Sequence, residues 1–390
     1  MKHILILISL FTFHWSLCAQ TYVWKGGKAL VENPDSITFV EPDMGLQVVD
    51  SGQGKDSYNV KFLYLTQDHM GRPQWQSALL QLSAKNVQRK HIGVMALYNH
   101  YTIMGASECP TAGYTDLQQA ALAKDFAVVS ADYEGFGETA DKIQAYCFGL
   151  ANGRSSIDAL LAAREWLVGE GYTLSDSIIN FGYSQGGQTT VAEVRLAQTE
   201  YRGRVHFLKS IAGAGPYDLT LTYKTYLAWG NIAMPAALPL NLITLNELYG
   251  IGIKYDQLFK APLSANWKTW FVSKRFNMDE AGDLLGGADL DLFIQPQYLD
   301  TTSAETRRVM TYADRLNIMQ GWTPDTNTRL KIYHSQQDDV VPFGNSRALY
   351  QFFQNQGCTN VAIDSTSLNM GHSSSGMMFV IALMSEFNSL

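Results

Sequence analysis

One ten-residue stretch, FGYSQGGQTT at residues 181–190, restricts the fold more than any other part of the chain. The residues before it, SIINF (177–181), are β-branched and apolar, which favours a buried strand. The residues after it, QTTVAEVRLAQ (188–198), have the composition of a helix. Ser184 therefore lies on a glycine-lined turn between a predicted strand and a predicted helix.

The pattern G-x-S-x-G has a mechanical meaning at such a turn. The turn puts the serine in a strained backbone conformation, and side chains at Gly182 or Gly186 would collide with the neighbouring strand and helix. The N-terminus of the helix directs backbone N–H groups and a partial positive charge at the space above Ser184. The stretch therefore predicts that Ser184 is an exposed nucleophile and that its glycine neighbours are not there by chance.

The rest of the chain alternates between short apolar runs and helix-forming segments. Residues 58–65 and 77–84 predict an antiparallel hairpin. Further strands are predicted at 91–99, 126–133, 177–183, 206–215, 329–336 and 360–365, and helices at 116–125, 155–171, 187–198 and 346–357. Near-continuous apolar strands are typical of a parallel sheet covered on both faces. The pattern predicts an α/β fold with a mostly parallel central sheet, opened by antiparallel strands, with helices on both faces.

Residues 217–328 break this alternation, and we expect them to form an inserted helical cap between core segments 20–216 and 329–390. Within the cap, residues 226–245 are apolar enough to raise the alternative of a transmembrane span. That span is interrupted by Gly230, Asn231, Pro235, Pro239 and Asn241. An apolar helical cap is therefore the favoured interpretation.

The first residues, 1–19, predict an export signal peptide. Lys2 supplies the positive start, residues 4–13 the apolar core, and Ala19 the small residue at the cleavage site. The apolar core is shorter than the roughly 20 residues that a spanning helix needs. A lipoprotein signal ending at Cys18 is the alternative, and the bulky Leu17 fits it poorly.

Composition narrows the class of protein. The chain has 390 residues, of which 46% are hydrophobic and 17% charged, as in soluble globular proteins. A net charge of −7 argues against a nucleic-acid partner, which would need a basic face. After cleavage of the signal, Cys109, Cys147 and Cys358 remain without CxxC spacing, which argues against a structural zinc site. Either Cys109 pairs with Cys147, or all three are buried thiols.

A serine nucleophile needs a base to accept its proton. His372 is the candidate, because it lies in SLNMGHSSSG (367–376), predicted as a mobile, exposed loop between the last strand and a closing apolar segment. The other histidines lie in the signal (His3, His14), in the hairpin loop (His69), at or within strands (His91, His206, His334), or in the loop after strand 91–99 (His100).

The base in turn needs an acid that orients it and stabilises its protonated form. The segment YHSQQDDVVP (333–342) offers Asp338 and Asp339 directly after a predicted strand, and Asp338 is preferred. The chain order Ser184, Asp338, His372 is that of the α/β-hydrolases.

The tetrahedral intermediate of acyl transfer needs backbone donors for its oxyanion. The N–H of Gln185, the residue after the serine, is the first predicted donor. The second is expected from the loop YNHYT (98–102), at Tyr101 or Thr102, with Tyr101 the assigned residue. His100 is then expected to brace this loop.

These residues resemble the α/β-hydrolase superfamily and, more narrowly, the secretory lipase family of the yeast lipase A type. The similarity is densest at VVSADYEGFGE (128–138), GYSQGG (182–187) and IYHSQQDDVVP (332–342), and spans about residues 60 to 380. It implies an ester hydrolase with a triad of Ser184, Asp338 and His372 beneath a helical cap. The YNHYT loop departs from the common His-Gly pattern of hydrolases.

The leading hypothesis is an exported serine esterase or lipase that forms an acyl-enzyme on a small-molecule or lipid ester and needs neither metal nor organic cofactor. A serine peptidase or amidase on the same fold is the alternative within the enzyme class. A non-catalytic binding module is the alternative outside it. Such modules usually lack one member of the triad, whereas here all three candidates are present.

Overall fold

The computed structural model describes residues 57–113 and 116–390, together with the backbone of four strands before residue 50. The signal peptide predicted at 1–19 lies outside the described residues. Strands β1 (Thr21–Lys25), β2 (Lys28–Asn33) and β3 (Ser36–Val40) form a small antiparallel sheet, and β4 (Gln47–Val49) joins the central sheet.

Within the described part of the chain, the central sheet has nine strands. Besides β4, its members are β5 (Ser57–Gln67), β6 (Pro73–Ser83), β8 (Met95–Asn99), β9 (Ala127–Ala131), β11 (Ile178–Tyr183), β12 (Lys209–Gly213), β13 (Arg329–Tyr333) and β14 (Val361–Asp364). Their order in the sheet is β14-β13-β12-β11-β8-β9-β6-β5-β4. Strands β8, β9 and β11 to β14 are mutually parallel, whereas β4, β5 and β6 are antiparallel. A two-stranded parallel pair, β7 (His91–Ile92) and β10 (Thr173–Leu174), lies outside it. The predicted α/β fold with a mostly parallel sheet and an N-terminal hairpin is confirmed.

Helices cover both faces of this sheet. They are α1 (Ala84–Arg89), α2 (Asp116–Leu122), α3 (Gly149–Gly169), α4 (Gln185–Gln198), α11 (Gly344–Asn355) and α12 (His372–Phe387). Successive strand residues point to opposite faces, so Ile211 packs with α2 and α12 while Ala212 packs with α4 and α11. The predicted helix at 155–171 begins earlier, at Gly149.

The parallel strands bring the candidate site residues to one edge of the sheet. Strands β8, β11 and β13 end at Asn99, Tyr183 and Tyr333, and the carboxyl ends of parallel strands meet at the same edge. The loops that follow hold Tyr101, Ser184 and Asp338. In open α/β sheets this edge is where ligands bind.

The predicted cap, residues 217–328, contains several helices, and the last of them ends at Asp314, well before the next core strand. Between β12 and β13 the chain forms α5 (Leu219–Trp229), α6 (Ala237–Leu248), α7 (Tyr255–Leu258), α8 (Leu263–Trp267), α9 (Met278–Leu284) and α10 (Ala304–Asp314). Their apolar side chains share one buried cluster with Met104 and Phe148 of the core. The apolar segment 226–245 is divided by a break that begins at Gly230, whose φ is +72°. In the described part of the chain, no helix is both long and apolar enough to cross a membrane.

Candidate active site

Ser184 lies between β11 and α4 with φ 57° and ψ −123°. Residues other than glycine rarely adopt a backbone conformation with positive φ. The N–H of Ser184 donates to the carbonyl oxygen of Gly213 at 2.8 Å, which fixes the turn against β12. A Cβ atom added at Gly186 would lie 2.1 Å from the carbonyl oxygen of Asn99, and one at Gly182 would lie 2.5 Å from that of Gly186. The glycines are required because neighbouring backbone fills the space around the turn, as the sequence predicts.

The imidazole of His372 lies between Ser184 and Asp338. His372 Nε2 is 2.9 Å from Ser184 Oγ, and His372 Nδ1 is 2.7 Å from Asp338 Oδ2. A carboxylate only accepts hydrogen bonds, so Nδ1 carries the proton and Nε2 is left to accept from the serine hydroxyl. The structure therefore brings together the three residues that the sequence nominates as a triad.

The expected setting of His372 is wrong in one respect. The sequence predicts a mobile, exposed loop, but His372 is the first residue of helix α12 and is 4% exposed. The N–H of His372 donates to Asp339 Oδ1 at 2.8 Å, and its carbonyl oxygen accepts from the hydroxyl of Tyr183 at 2.8 Å. The glycines and serines of this segment belong to a helix start, which holds the imidazole in place.

Asp338 is held as an ionised acceptor. Its Oδ1 accepts from the N–H groups of Val340 at 3.0 Å and Val341 at 2.7 Å. Burial alone would raise the pKa of this carboxyl, but the electrostatic interaction with His372 and the hydrogen bonds from His334 and His372 outweigh burial and lower the pKa well below its usual range. The carboxylate therefore keeps its negative charge beside the imidazole.

His334 is a neighbour of the site that the sequence interpretation left within a strand. It lies directly after β13, is fully buried, and has its Nε2 3.4 Å from Asp338 Oδ2 and 2.9 Å from the carbonyl oxygen of Val341. Its Nδ1 lies 2.7 Å from Ser346 Oγ. Its position four residues before Asp338, at the end of a strand, is the signal that identifies it.

The two predicted oxyanion residues come from the start of helix α4 and from the loop after strand β8. Gln185 opens helix α4, so its N–H is one of the free donors of a helix N-terminus. Tyr101 is 39% exposed and lines the same cavity as Ser184. His100 is buried, with Nδ1 2.7 Å from the carbonyl oxygen of Tyr101 and Nε2 3.3 Å from that of Asp132. Burial lowers the pKa of His100 to about 4, so it is neutral at pH 7 and positions the loop.

Two cavities of unequal size meet at Ser184. The larger, of about 400 Å³, is lined by His372, Tyr101, Asn277 and residues of α12. The smaller, of about 30 Å³, lies under helices α5 and α6 of the predicted cap. Ser184, Thr102 and Met234 border both cavities, so the hydroxyl stands at their junction.

Two further groups of side chains have the chemistry of metal or redox sites, namely one acidic cluster with a histidine and the cysteines. Asp68, His69 and Glu134 cluster closely, but Asp68 Oδ2 is 2.7 Å from Arg72 and His69 Nδ1 is 3.1 Å from Glu134. Cys109, Cys147 and Cys358 are free thiols, as in the second cysteine alternative, but only Cys109 and Cys147 are buried, whereas Cys358 is partly exposed. Burial raises the pKa of Cys147 to about 12, so this thiol is unreactive at neutral pH.

Known proteins resemble this chain in part of its sequence and in its fold. A family model described as secretory lipase matches residues 113–229. The rice cell wall degrading esterase LipA from Xanthomonas oryzae superposes with a TM-score of 0.69 at 22% identity, over 86% of this chain and 90% of that one. No curated protein sequence matches the chain.

Two further solved structures share the architecture. A Legionella pneumophila protein superposes with a TM-score of 0.75 at 21% identity, over 89% of this chain and 91% of that one. Candida antarctica lipase A superposes with a TM-score of 0.62 at 15% identity, over 84% and 76%. The chain thus has the α/β-hydrolase fold, and its predicted resemblance to the secretory lipases is confirmed, with the family match falling on residues 113–229.

Proposed function

We propose that this protein is a serine-dependent carboxylic ester hydrolase that works through an acyl-enzyme. The observation that supports it most directly is the position of His372, within hydrogen-bonding distance of Ser184 Oγ at 2.9 Å and of Asp338 Oδ2 at 2.7 Å. The secretory lipase match and the esterase and lipase among its structural neighbours favour esters as the substrate class.

In the proposed reaction, Ser184 Oγ attacks the ester carbonyl carbon while His372 Nε2 accepts the hydroxyl proton. The carboxylate of Asp338 stabilises the imidazolium that forms. The N–H groups of Gln185 and Tyr101 donate to the oxyanion of the tetrahedral intermediate. His372 then returns the proton to the leaving alcohol, and a water molecule, deprotonated by His372, releases the acid and restores the serine.

We also propose that residues 217–328 act as the cap over the site and that residues 1–19 direct export. The helices of this segment cover Ser184 from the side of the smaller cavity, which supports the first proposal. The apolar stretch that ends at Ala19, together with the secretory lipase match, supports the second. Lipid attachment at Cys18 remains the alternative to free release.

Steady-state kinetics with p-nitrophenyl acetate test the proposal. Ser184→Ala is expected to reduce kcat by about 10⁴-fold or more, as removal of a triad nucleophile does. Ser374→Ala, an exposed serine on helix α12, is the matched control and is expected to keep wild-type activity. Equal hydrolysis by the wild type and Ser184→Ala would refute the proposed nucleophile.

Two substrates with the same acyl group distinguish an ester hydrolase from the alternative of a peptidase. The p-nitroanilide of the same acyl group differs from the p-nitrophenyl ester only in its leaving atom. We expect the wild type to hydrolyse the ester but to cleave the anilide no faster than Ser184→Ala does, whereas a peptidase would also cleave the anilide clearly above that background. The Ser184→Ala variant measures the enzyme-independent background for both substrates.

A further inference from the structure

The two cavities that meet at Ser184 differ in which triad residue they contain. The larger cavity is lined by both Ser184 and His372, whereas the smaller is lined by Ser184 without His372. The leaving alcohol receives its proton from His372 Nε2, so its oxygen must lie on the side where the imidazole is exposed. The larger cavity is therefore the alcohol side of the site, and the acyl chain is directed into the smaller one.

The smaller cavity, on the acyl side, can hold only a short acyl group. Its volume is about 30 Å³, and one water-sized group needs roughly 10–15 Å³, so about two such groups fit. The lining is apolar along most of its surface, from Leu219, Tyr226, Leu238 and Val341. An acetyl or propionyl group fills this space, and a longer chain would collide with the side chains that line it, Tyr226 among them.

The lining of the acyl side is fixed by contacts with the rest of the protein. Tyr226 is 6% exposed and belongs to the buried cluster of the cap segment. Helix α5, which carries it, is anchored by Tyr223, whose hydroxyl donates to the carbonyl oxygen of Tyr298 at 2.8 Å. Asn345 Nδ2 donates to Thr222 Oγ1 at 2.9 Å and ties the same helix to α11. Opening a longer channel would break these contacts.

The alcohol side is large and has polar groups on its walls. Its volume of about 400 Å³ is more than ten times that of the acyl side. Glu108, Asn277, Asp279 and Ser373 line it, together with the apolar Met377 and Val380. Carboxylate, amide and hydroxyl groups suit an alcohol that carries further hydroxyl groups, such as a sugar, and two carboxylates disfavour an anionic one.

We infer that the enzyme prefers esters of short acids with bulky, hydroxyl-bearing alcohols, and that Tyr226 sets the upper limit on acyl length. This inference rests on the proposed function, because it assigns the two sides of the same Ser184 site. It places the selectivity of the enzyme on the alcohol rather than on a long acyl chain.

Two substrate pairs test the two sides. With a constant leaving group, kcat/KM for p-nitrophenyl acetate is expected to exceed that for p-nitrophenyl octanoate by roughly 100-fold. With a constant acetyl group, 6-O-acetylglucose is expected to be hydrolysed at least about tenfold more efficiently than ethyl acetate. Equal or reversed efficiency within either pair overturns the inference.

Variants identify the residue responsible. Tyr226→Ala, and independently Leu238→Ala, are expected to raise the octanoate-to-acetate ratio of kcat/KM by about tenfold or more. Tyr312→Ala removes a half-buried tyrosine of the same segment that lines neither cavity, and it should leave the ratio unchanged. An unchanged ratio in folded Tyr226→Ala contradicts the role of Tyr226, and an unchanged ratio in both folded variants contradicts the acyl side itself.

The outcomes keep the two proposals distinct. If the wild type hydrolyses octanoate as well as acetate, and Ser184→Ala abolishes both activities, the ester hydrolase stands and the assignment of the cavities fails. If no ester in either pair is hydrolysed faster by the wild type than by Ser184→Ala, the proposed function itself fails.

Discussion

Asp339 Oδ1 accepts a hydrogen bond from the backbone N–H of His372 at 2.8 Å, while the adjacent Asp338 binds the imidazole of the same residue. The two consecutive carboxylates therefore bind different parts of one histidine, its backbone and its ring. Asp339 fixes where helix α12 begins, and Asp338 fixes the orientation and the tautomer of the ring.

This division predicts unequal effects at the two aspartates. Asp338→Asn is expected to lower kcat by about 10⁴-fold, because an asparagine favours the wrong tautomer of His372 and does not stabilise the imidazolium. Asp339→Asn is expected to cost less than about tenfold, because its carbonyl still accepts the backbone hydrogen bond, which is worth about 1 kcal/mol. Steady-state kinetics on p-nitrophenyl acetate measure both, and similar losses would contradict the assignment.

The turn at Ser184 predicts a stability difference between two glycines. Gly186→Ala puts a Cβ atom 2.1 Å from the Asn99 carbonyl oxygen, so we expect the free energy of unfolding to fall by about 3 kcal/mol or more. At Gly169, at the end of helix α3, an added Cβ atom would have no other atom within 4 Å, so Gly169→Ala is expected to raise the free energy of unfolding by about 0.4–1 kcal/mol. Urea denaturation measures both variants, and an unchanged free energy of unfolding in Gly186→Ala would contradict the close approach of Gly186 to Asn99.

Asp158 predicts a pH dependence of stability. Burial raises the pKa of this carboxyl to about 7 from its ordinary 3.8, despite hydrogen bonds from Thr66 Oγ1 and the Tyr201 hydroxyl. Between these values the folded state binds more protons than the unfolded state, so the contribution of Asp158 to stability is present at low pH and is lost as the pH rises through 7.

The Asp158→Asn variant should therefore become more stable relative to the wild type as the pH rises from about 4 to about 7. Urea denaturation across this range measures the difference. Asp176→Asn is the control, because Asp176 is fully exposed, and its difference from the wild type should stay flat. A flat difference for Asp158→Asn would show that Asp158 titrates normally.

The state of the three cysteines predicts how many of them can be alkylated in the denatured protein, which mass spectrometry measures. Cys109, Cys147 and Cys358 are free thiols, so denaturation without reductant should allow alkylation of all three. Labelling of Cys358 alone would instead reveal a bond between Cys109 and Cys147. In the folded protein, Cys147 is expected to resist alkylation, because burial both covers the thiol and raises its pKa.

The sequence predicts the parts of this molecule that depend on local pattern. The apolar runs identify the strands of the sheet, and the glycines around Ser184 identify the turn, because steric demands there act between near neighbours. Asp338 and His372 follow from chain order and from elimination among eight histidines.

What the sequence leaves out depends on contacts between distant residues. The anchoring of His372 by Tyr183 joins residues 189 positions apart, and no periodicity reports it. His334 is read as part of a strand because its role comes from the fold of the loop after β13. The two cavities are equally invisible in the sequence, since the residues that line each of them are far apart in the chain.

The central claim is that Ser184 is a nucleophile activated by His372, and covalent labelling tests it most directly. The purified protein is treated with a fluorophosphonate, and the adduct is located by peptide mass mapping. We predict one adduct on Ser184, with much slower labelling in the His372→Ala variant and none at this site in Ser184→Ala. Absence of an adduct in the folded wild type, or an adduct on another residue while Ser184 stays unmodified, would contradict the account.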